Sequence, residues 1–162
     1  MIDIKNKYLI HLGVAVVVVF AQIYFPIINI KGMQIQADII LLYITVLSIL
    51  YGRFVGILAG FITGLLQDFS TQVELLGVFS LSKPIAAYSI GSIYHYKTIW
   101  SEKIQYFVII SSYVIHFFIY FYLSSRTIFD LYNSLLFILL HSAIVITLFL
   151  LFNNLIYKNK LL

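Results

Sequence analysis

The chain has 162 residues, of which 62% are hydrophobic and only 10% charged, and its mean hydropathy is +1.04; an average soluble domain is about 25% charged. That balance excludes a soluble domain of any size, and at about 20 residues per membrane span it leaves room for five or six spans joined by short loops. The formal net charge of +4 is too small and too scattered to suit nucleic acid, and the absence of cysteine excludes thiolate catalysis, thiolate metal ligands and disulfides.

The polar lead Met1–Lys7, with Lys5 and Lys7, runs into the apolar segment 8–25. Such a start imitates a signal peptide, but the run exceeds the usual apolar core of about 7 to 15 residues and no small-residue cleavage site follows, so an uncleaved first span is expected. Pro26 ends it, and 27–36 reads as a linker carrying Lys31 and Gly32. Asp38 then opens a short second span, 38–51, where an acid suits the positive end of the helix dipole. The break at Tyr51-Gly52-Arg53 predicts a tight hairpin into a third span, 54–68.

Gly52, Gly56, Gly60 and Gly64 recur at every fourth position through this hairpin and span. In water each glycine inside a helix costs about 1 kcal/mol relative to alanine. In lipid, small residues that let backbones approach are a main source of helix association. The stripe therefore predicts a groove for a neighbouring helix and makes this the buried central span of a bundle. Asp68 closes it, and Ser70–Glu74 reads as a polar loop. A fourth span, 76–94, contains Lys83-Pro84; a fifth covers 104–123 and a sixth 133–157.

The basic residues set the orientation. With six spans, Lys5, Lys7, Arg53, Lys97, Lys103, Lys158 and Lys160 share the side of the N-terminus, against Lys31 and Arg126 on the other. The positive-inside rule then places both termini in the cytoplasm. Five spans would move Lys158 and Lys160 outside and spoil the asymmetry. The expected fold is thus an all-α integral membrane protein, a six-transmembrane-helix bundle forming one domain over 1–162.

Polar groups inside spans are costly in lipid and are the first functional candidates. Lys83 needs a carboxylate or carbonyl partner, and Asp38 and Asp68, at the outer ends of their spans, are the natural choices. The competing reading has Ser82 cap a helix whose first turn holds Pro84, leaving Lys83 at the interface. His116 and His141 fall at similar depth in antiparallel spans, where they can face each other or Lys83 across an outward cavity. Two histidines with no third ligand support no metal, and no cofactor is implied. His11 is expected near the cytoplasmic interface. Tyr51, Tyr94, Tyr96, Trp100 and Tyr157 suit the aromatic belts of the two interfaces. No phosphate loop, nucleophile elbow or paired-carboxylate arrangement is present, which argues against an enzyme.

Asp38 and its aliphatic run, Arg53, the run Gly60-Phe61-Ile62-Thr63-Gly64-Leu65-Leu66-Gln67-Asp68, and a short polar loop into Leu76-Gly77 together resemble the rod shape-determining MreD family. The motif likeness covers about 38–94 and carries Gly60, Phe61, Gly64 and Asp68, with Asp38 where the family more often has a proline before the acid. The resemblance implies a non-enzymatic component of the bacterial cytoplasmic membrane that binds an MreC-like bitopic protein and, through it, MreB-like filaments and peptidoglycan synthases of the lateral wall. It also implies an architecture similar to the S components of energy-coupling-factor transporters. The alternative function is such a vitamin-binding S component, with Lys83, His116 and His141 gripping a ligand. A proton-coupled carrier ranks last, because the acids sit at span ends.

Overall fold

The computed structural model describes residues 4–30, 33–71, 76–124, 131–155 and 162, with side chains from His11 onward except Leu12, Ile30, Met33 and Leu131. Lys31, Glu74, Arg126, Tyr157, Lys158 and Lys160 and the side chains of Lys5 and Lys7, which carry most of the orientation argument, lie outside that set. Helix dominates: α1 (Ile4–Ile23), α2 (Ile39–Tyr51), α3 (Arg53–Thr71), α4 (Val78–Ile90), α5 (Ser92–Tyr96), α6 (Glu102–Ser124) and α7 (Leu131–Leu155). Gly91 separates α4 from α5, and its own backbone is still helical, so the pair forms an almost continuous rod.

Within the expected linker the described residues form two paired strands. β1 (Ile27–Ile30) pairs antiparallel with β2 (Met33–Gln36), matching Ile27 with Gln36 and Ile30 with Met33. The all-α expectation is corrected accordingly. Extended β-branched residues on either side of a two-residue connection containing glycine favour a hairpin over a loop. The hairpin is pinned to the bundle by Gln36, whose Nε2 donates to the carbonyls of Gln22 and Phe25.

Three helices, Arg53–Thr71, Glu102–Ser124 and Tyr132–Leu155, are long and apolar enough to cross a membrane. Their faces are sorted inside out. On α3, Gly56, Gly60, Thr63, Gly64, Gln67 and Asp68 are buried, whereas Phe54, Leu58, Phe61, Ile62, Leu66 and Phe69 are exposed. On α6, Ser112 and His116 face inward and Phe107, Ile110, Ile115 and Phe118 outward. A surface so apolar would not stay monomeric in water, and polar groups that turn inward are what hydrocarbon solvent demands. This is a membrane protein.

The centre of the bundle is α2 together with α4, which also buries eight residues, and not the glycine helix. Eight residues of α2 are buried, among them Ile40, Leu41, Ile44, Leu47 and Ile49, and α2 meets α1, α3, α4, α5 and α7. The glycines of α3 mark one inward stripe only; the rest of that helix carries large side chains that face away from the protein. Leu41, Val46 and Ile49 join Ala86, Ile90, Ile109, Tyr113, Val145 and Phe149 in the main core.

Candidate functional site

The glycine stripe of α3 lies against α4, its most extensive neighbour. A Cβ added at Gly64 would stand 2.6 Å from the Phe79 carbonyl oxygen and 2.9 Å from the Ser80 Cα. At Gly60 it would stand 3.1 Å from the Pro84 nitrogen and 3.2 Å from the Lys83 carbonyl carbon. Only glycine permits main chain to meet main chain here. Pro84 lies inside α4 at this contact and has no N–H to leave unpaired. Gly56 faces Ser48 of α2 and Ala87 of α4. Gly52 departs from its expected place in the helix groove: it is the turn residue between α2 and α3, with φ +84° and its N–H donating to the Ser48 carbonyl at 2.9 Å. Left-handed backbone there is what glycine supplies.

Asp68 ends the stripe by capping a different helix. Its Oδ1 accepts from the Phe79 N–H at 3.0 Å, and its Oδ2 accepts from Ser80 at 3.0 Å and Gly77 at 3.2 Å. Gly77 starts α4 with φ +110° and cannot cap it with a side chain. A carboxylate of α3 therefore satisfies the free N–H groups and the positive dipole end of α4. Phe61, between these glycines, is not part of the packing. It is 49% exposed and lines an apolar surface groove with Leu58, Leu81, Pro84, Ile85 and Tyr88.

Asp38, Lys83 and His116 converge inside the bundle. Asp38 caps α2, its Oδ1 accepting from Leu41 N–H at 2.8 Å, while its Oδ2 takes the Lys83 ammonium. The His116 Nε2 is 3.5 Å from the same oxygen, a charge contact too long for a good hydrogen bond, and among the described residues neither ring nitrogen of His116 makes a closer hydrogen bond. Lys83 is fully buried beneath the Phe79 ring, with Nζ 5.2 Å from its centroid. The helix begins at Val78, so Ser82 does not cap it and Lys83 is not interfacial, which corrects that reading. Of the two candidate acids, Asp38 takes Lys83 because Asp68 is committed to the end of α4.

His141 stands beyond Phe117, ring centroids 5.3 Å apart, with Nδ1 2.9 Å from the Phe137 carbonyl. It lines a cavity of about 420 Å³ that also reaches Asp38, Gln22, Gln36, Gln67 and Phe79. Gln22 ties α1 to the start of α2, donating to the Ala37 carbonyl at 3.0 Å and accepting from Ile39 N–H at 2.7 Å. The glutamines and the aromatic wall were absent from the sequence-based candidates, although uncharged amides inside apolar segments obey the same cost rule that singled out Lys83. Among the described residues no three metal-ligating side chains gather.

A family model described as rod shape-determining protein MreD matches residues 3–158. The chain belongs to the MreD family. Neither curated proteins nor solved structures give a match. In this MreD-family chain the stretch Gly60–Asp68 is the α3 side of the α3–α4 seam, and its residues divide the work of that contact. Two glycines admit the main chain of α4, and the acid holds its end. At the opposite end of the bundle, Arg53 donates to the Ser92 hydroxyl through Nε at 3.2 Å and through a terminal guanidinium nitrogen at 2.9 Å, and lies over the Tyr88 ring at 4.7 Å. His11 bonds the Tyr51 hydroxyl at 2.8 Å, and the Tyr43 hydroxyl donates to the His11 carbonyl. Tyr96 and Trp100 stack at 4.9 Å in the same region.

Proposed function

We propose that this MreD-family protein is a non-enzymatic, multi-pass component of the bacterial cytoplasmic membrane that holds an MreC-like bitopic partner within the cell-elongation machinery. Through that partner it reaches MreB-like filaments and the synthases of lateral peptidoglycan. Family membership across residues 3–158 carries this reading and favours it over the transporter alternative. The geometry supports a scaffold: the Asp68 carboxylate is occupied by three N–H groups of α4, and Lys83 is buried and paired. Counting α4 and α5 as one rod gives a six-span path, and the excess of basic residues on the side of the N-terminus supports cytoplasmic termini.

Phe61 supports the α3–α4 groove as the face that receives the partner's span, because it lines that groove while remaining 49% exposed. A helix entering that groove would meet an apolar wall of the kind that buries van der Waals surface between spans. The test replaces Phe61 with alanine in cells depleted of their own MreD-family protein. Expected are normal membrane levels, reduced co-purification of the bitopic partner and rounded cells. Full capture of the partner and rod shape in Phe61→Ala would remove the groove from the account, and the same result in a Gly64→Leu protein would overturn the scaffold.

A further inference from the structure

We propose that the cavity beside Asp38 is a binding site for a neutral saccharide of one or two rings. The space, about 420 Å³, falls in the range of about 300 to 1,000 Å³ typical of small-molecule sites. One wall is aromatic: Phe79 and Tyr120 stack at 4.8 Å and 18°, and Tyr120 and Phe137 continue the column at 6.1 Å and 16°. Gln34, from the hairpin, and Gln67, from α3, bring amides to the same cavity, beside Gln22 and Gln36, which are bonded to the main chain.

Charge narrows the ligand. No lysine or arginine lines the cavity among the described residues, so an anion finds no counter-ion there. Among the described residues its one carboxylate, Asp38, is already matched by Lys83, so a cation finds no free charge there. Hydrogen-bonding capacity narrows it further. Gln67 is 4% exposed, and its Oε1 accepts no hydrogen bond from the described residues. The Nδ1 of neutral His141 donates to the Phe137 carbonyl, which leaves Nε2 as an acceptor. The amide of Gln22 and the Nε2 of Gln36 are already bonded within the protein, so the acceptors left to a ligand are Gln67 Oε1 and His141 Nε2; they call for hydroxyl donors, which a lipid tail would not supply. A sugar needs only one apolar face against the column, with its hydroxyls turned to the amides.

Saturation-transfer NMR on the full chain in nanodiscs tests this with methyl β-glucoside, N-acetylglucosamine and maltose as probes, and choline, phosphate and nicotinamide as competitors. The expected result is saturable binding of at least one sugar with Kd of about 0.1 to 10 mM. Gln67→Leu and Phe137→Leu should each weaken it by about fivefold or more, while Phe61→Ala, outside the cavity, leaves it unchanged. Should Gln67→Leu fail to fold, Gln34→Ala, on the exposed hairpin, replaces it. No saturable sugar signal to about 50 mM from protein with a native melting profile overturns the proposal. So does binding indifferent to these variants, or tighter binding of any competitor. The inference does not use the elongation role: partner capture can fail with sugar binding intact, and the reverse.

Discussion

Replacing Gly64 with alanine tests the α3–α4 seam by adding a single methyl group. The new carbon would stand 2.6 Å from the Phe79 oxygen, 2.8 Å from its carbonyl carbon and 2.9 Å from the Ser80 Cα, all main-chain atoms that cannot rotate away. To reach ordinary contact near 3.4 Å, α4 must withdraw by about 0.8 Å, and a gap of that size forfeits a quarter to a half of each facing dispersion contact. It also stretches the Asp68 bonds to Phe79 and Ser80, now 3.0 Å each, beyond useful length. Overpacking of this kind costs about 1 to 3 kcal/mol and a weakened charged cap about 1.5 kcal/mol or more; better helix propensity returns about 1 kcal/mol. The net loss is about 1.5 to 3.5 kcal/mol, or roughly 3 to 14 °C in Tm for a chain of this size. Thermal unfolding in a fixed detergent, followed by circular dichroism, reads it. Gly13, with nothing within 4 Å of an added Cβ, is the control: Gly13→Ala should be neutral or stabilising. Gly60→Ala, at 3.1 Å from Pro84, should fall between. If Gly64→Ala melts no lower than Gly13→Ala, the two helices do not touch as described.

Lys83→Met leaves the Asp38 carboxylate buried without its cation and should cost about 3 to 5 kcal/mol, whereas the double variant Asp38→Asn/Lys83→Met should recover much of that loss; strictly additive effects in a double-mutant cycle would disprove the pairing. Asp68→Asn retains one acceptor but turns an amide N–H₂ toward the N-terminal end of α4, for an expected loss of about 1 to 3 kcal/mol in the same melting assay. A melt unchanged within error would mean that the α4 end is satisfied by other groups. Gly52→Ala places a side chain at φ +84° and within 3.1 Å of the Tyr94 ring, so a drop of about 1 to 2 kcal/mol is expected; no change would show that the α2–α3 turn adopts another conformation.

The helical plan was largely legible because apolar runs bounded by Pro26, Gly52 and Asp68 leave the backbone one way to satisfy itself in lipid. Counting depth along the spans also brought Lys83 to a short set of acids that included Asp38, and put His116 and His141 in the same half of the bundle. What a one-dimensional pattern concealed was which faces meet. The glycines announce a close neighbour but not how little of α3 is enclosed, so the centre fell instead to α2, whose sequence is mainly aliphatic, and α4. The hairpin was overlooked although Met33-Gln34-Ile35-Gln36 alternates with a strand's period and follows a Lys-Gly pair. The aromatic column of Phe79, Tyr120 and Phe137 draws on three helices, and no spacing within one segment encodes it.

A stripe with the same small residue at each turn has an inherent ambiguity: slide one rod along the other by about 6 Å, four residues of rise, and glycine again meets the opposing chain. Two unique landmarks remove it. Only one alignment puts the Asp68 carboxylate on the free amides at the tip of α4 and at the same time sets Pro84 against Gly60. The smooth groove supplies closeness, and the acid and the imino acid act as detents that decide where along its length the rods stop.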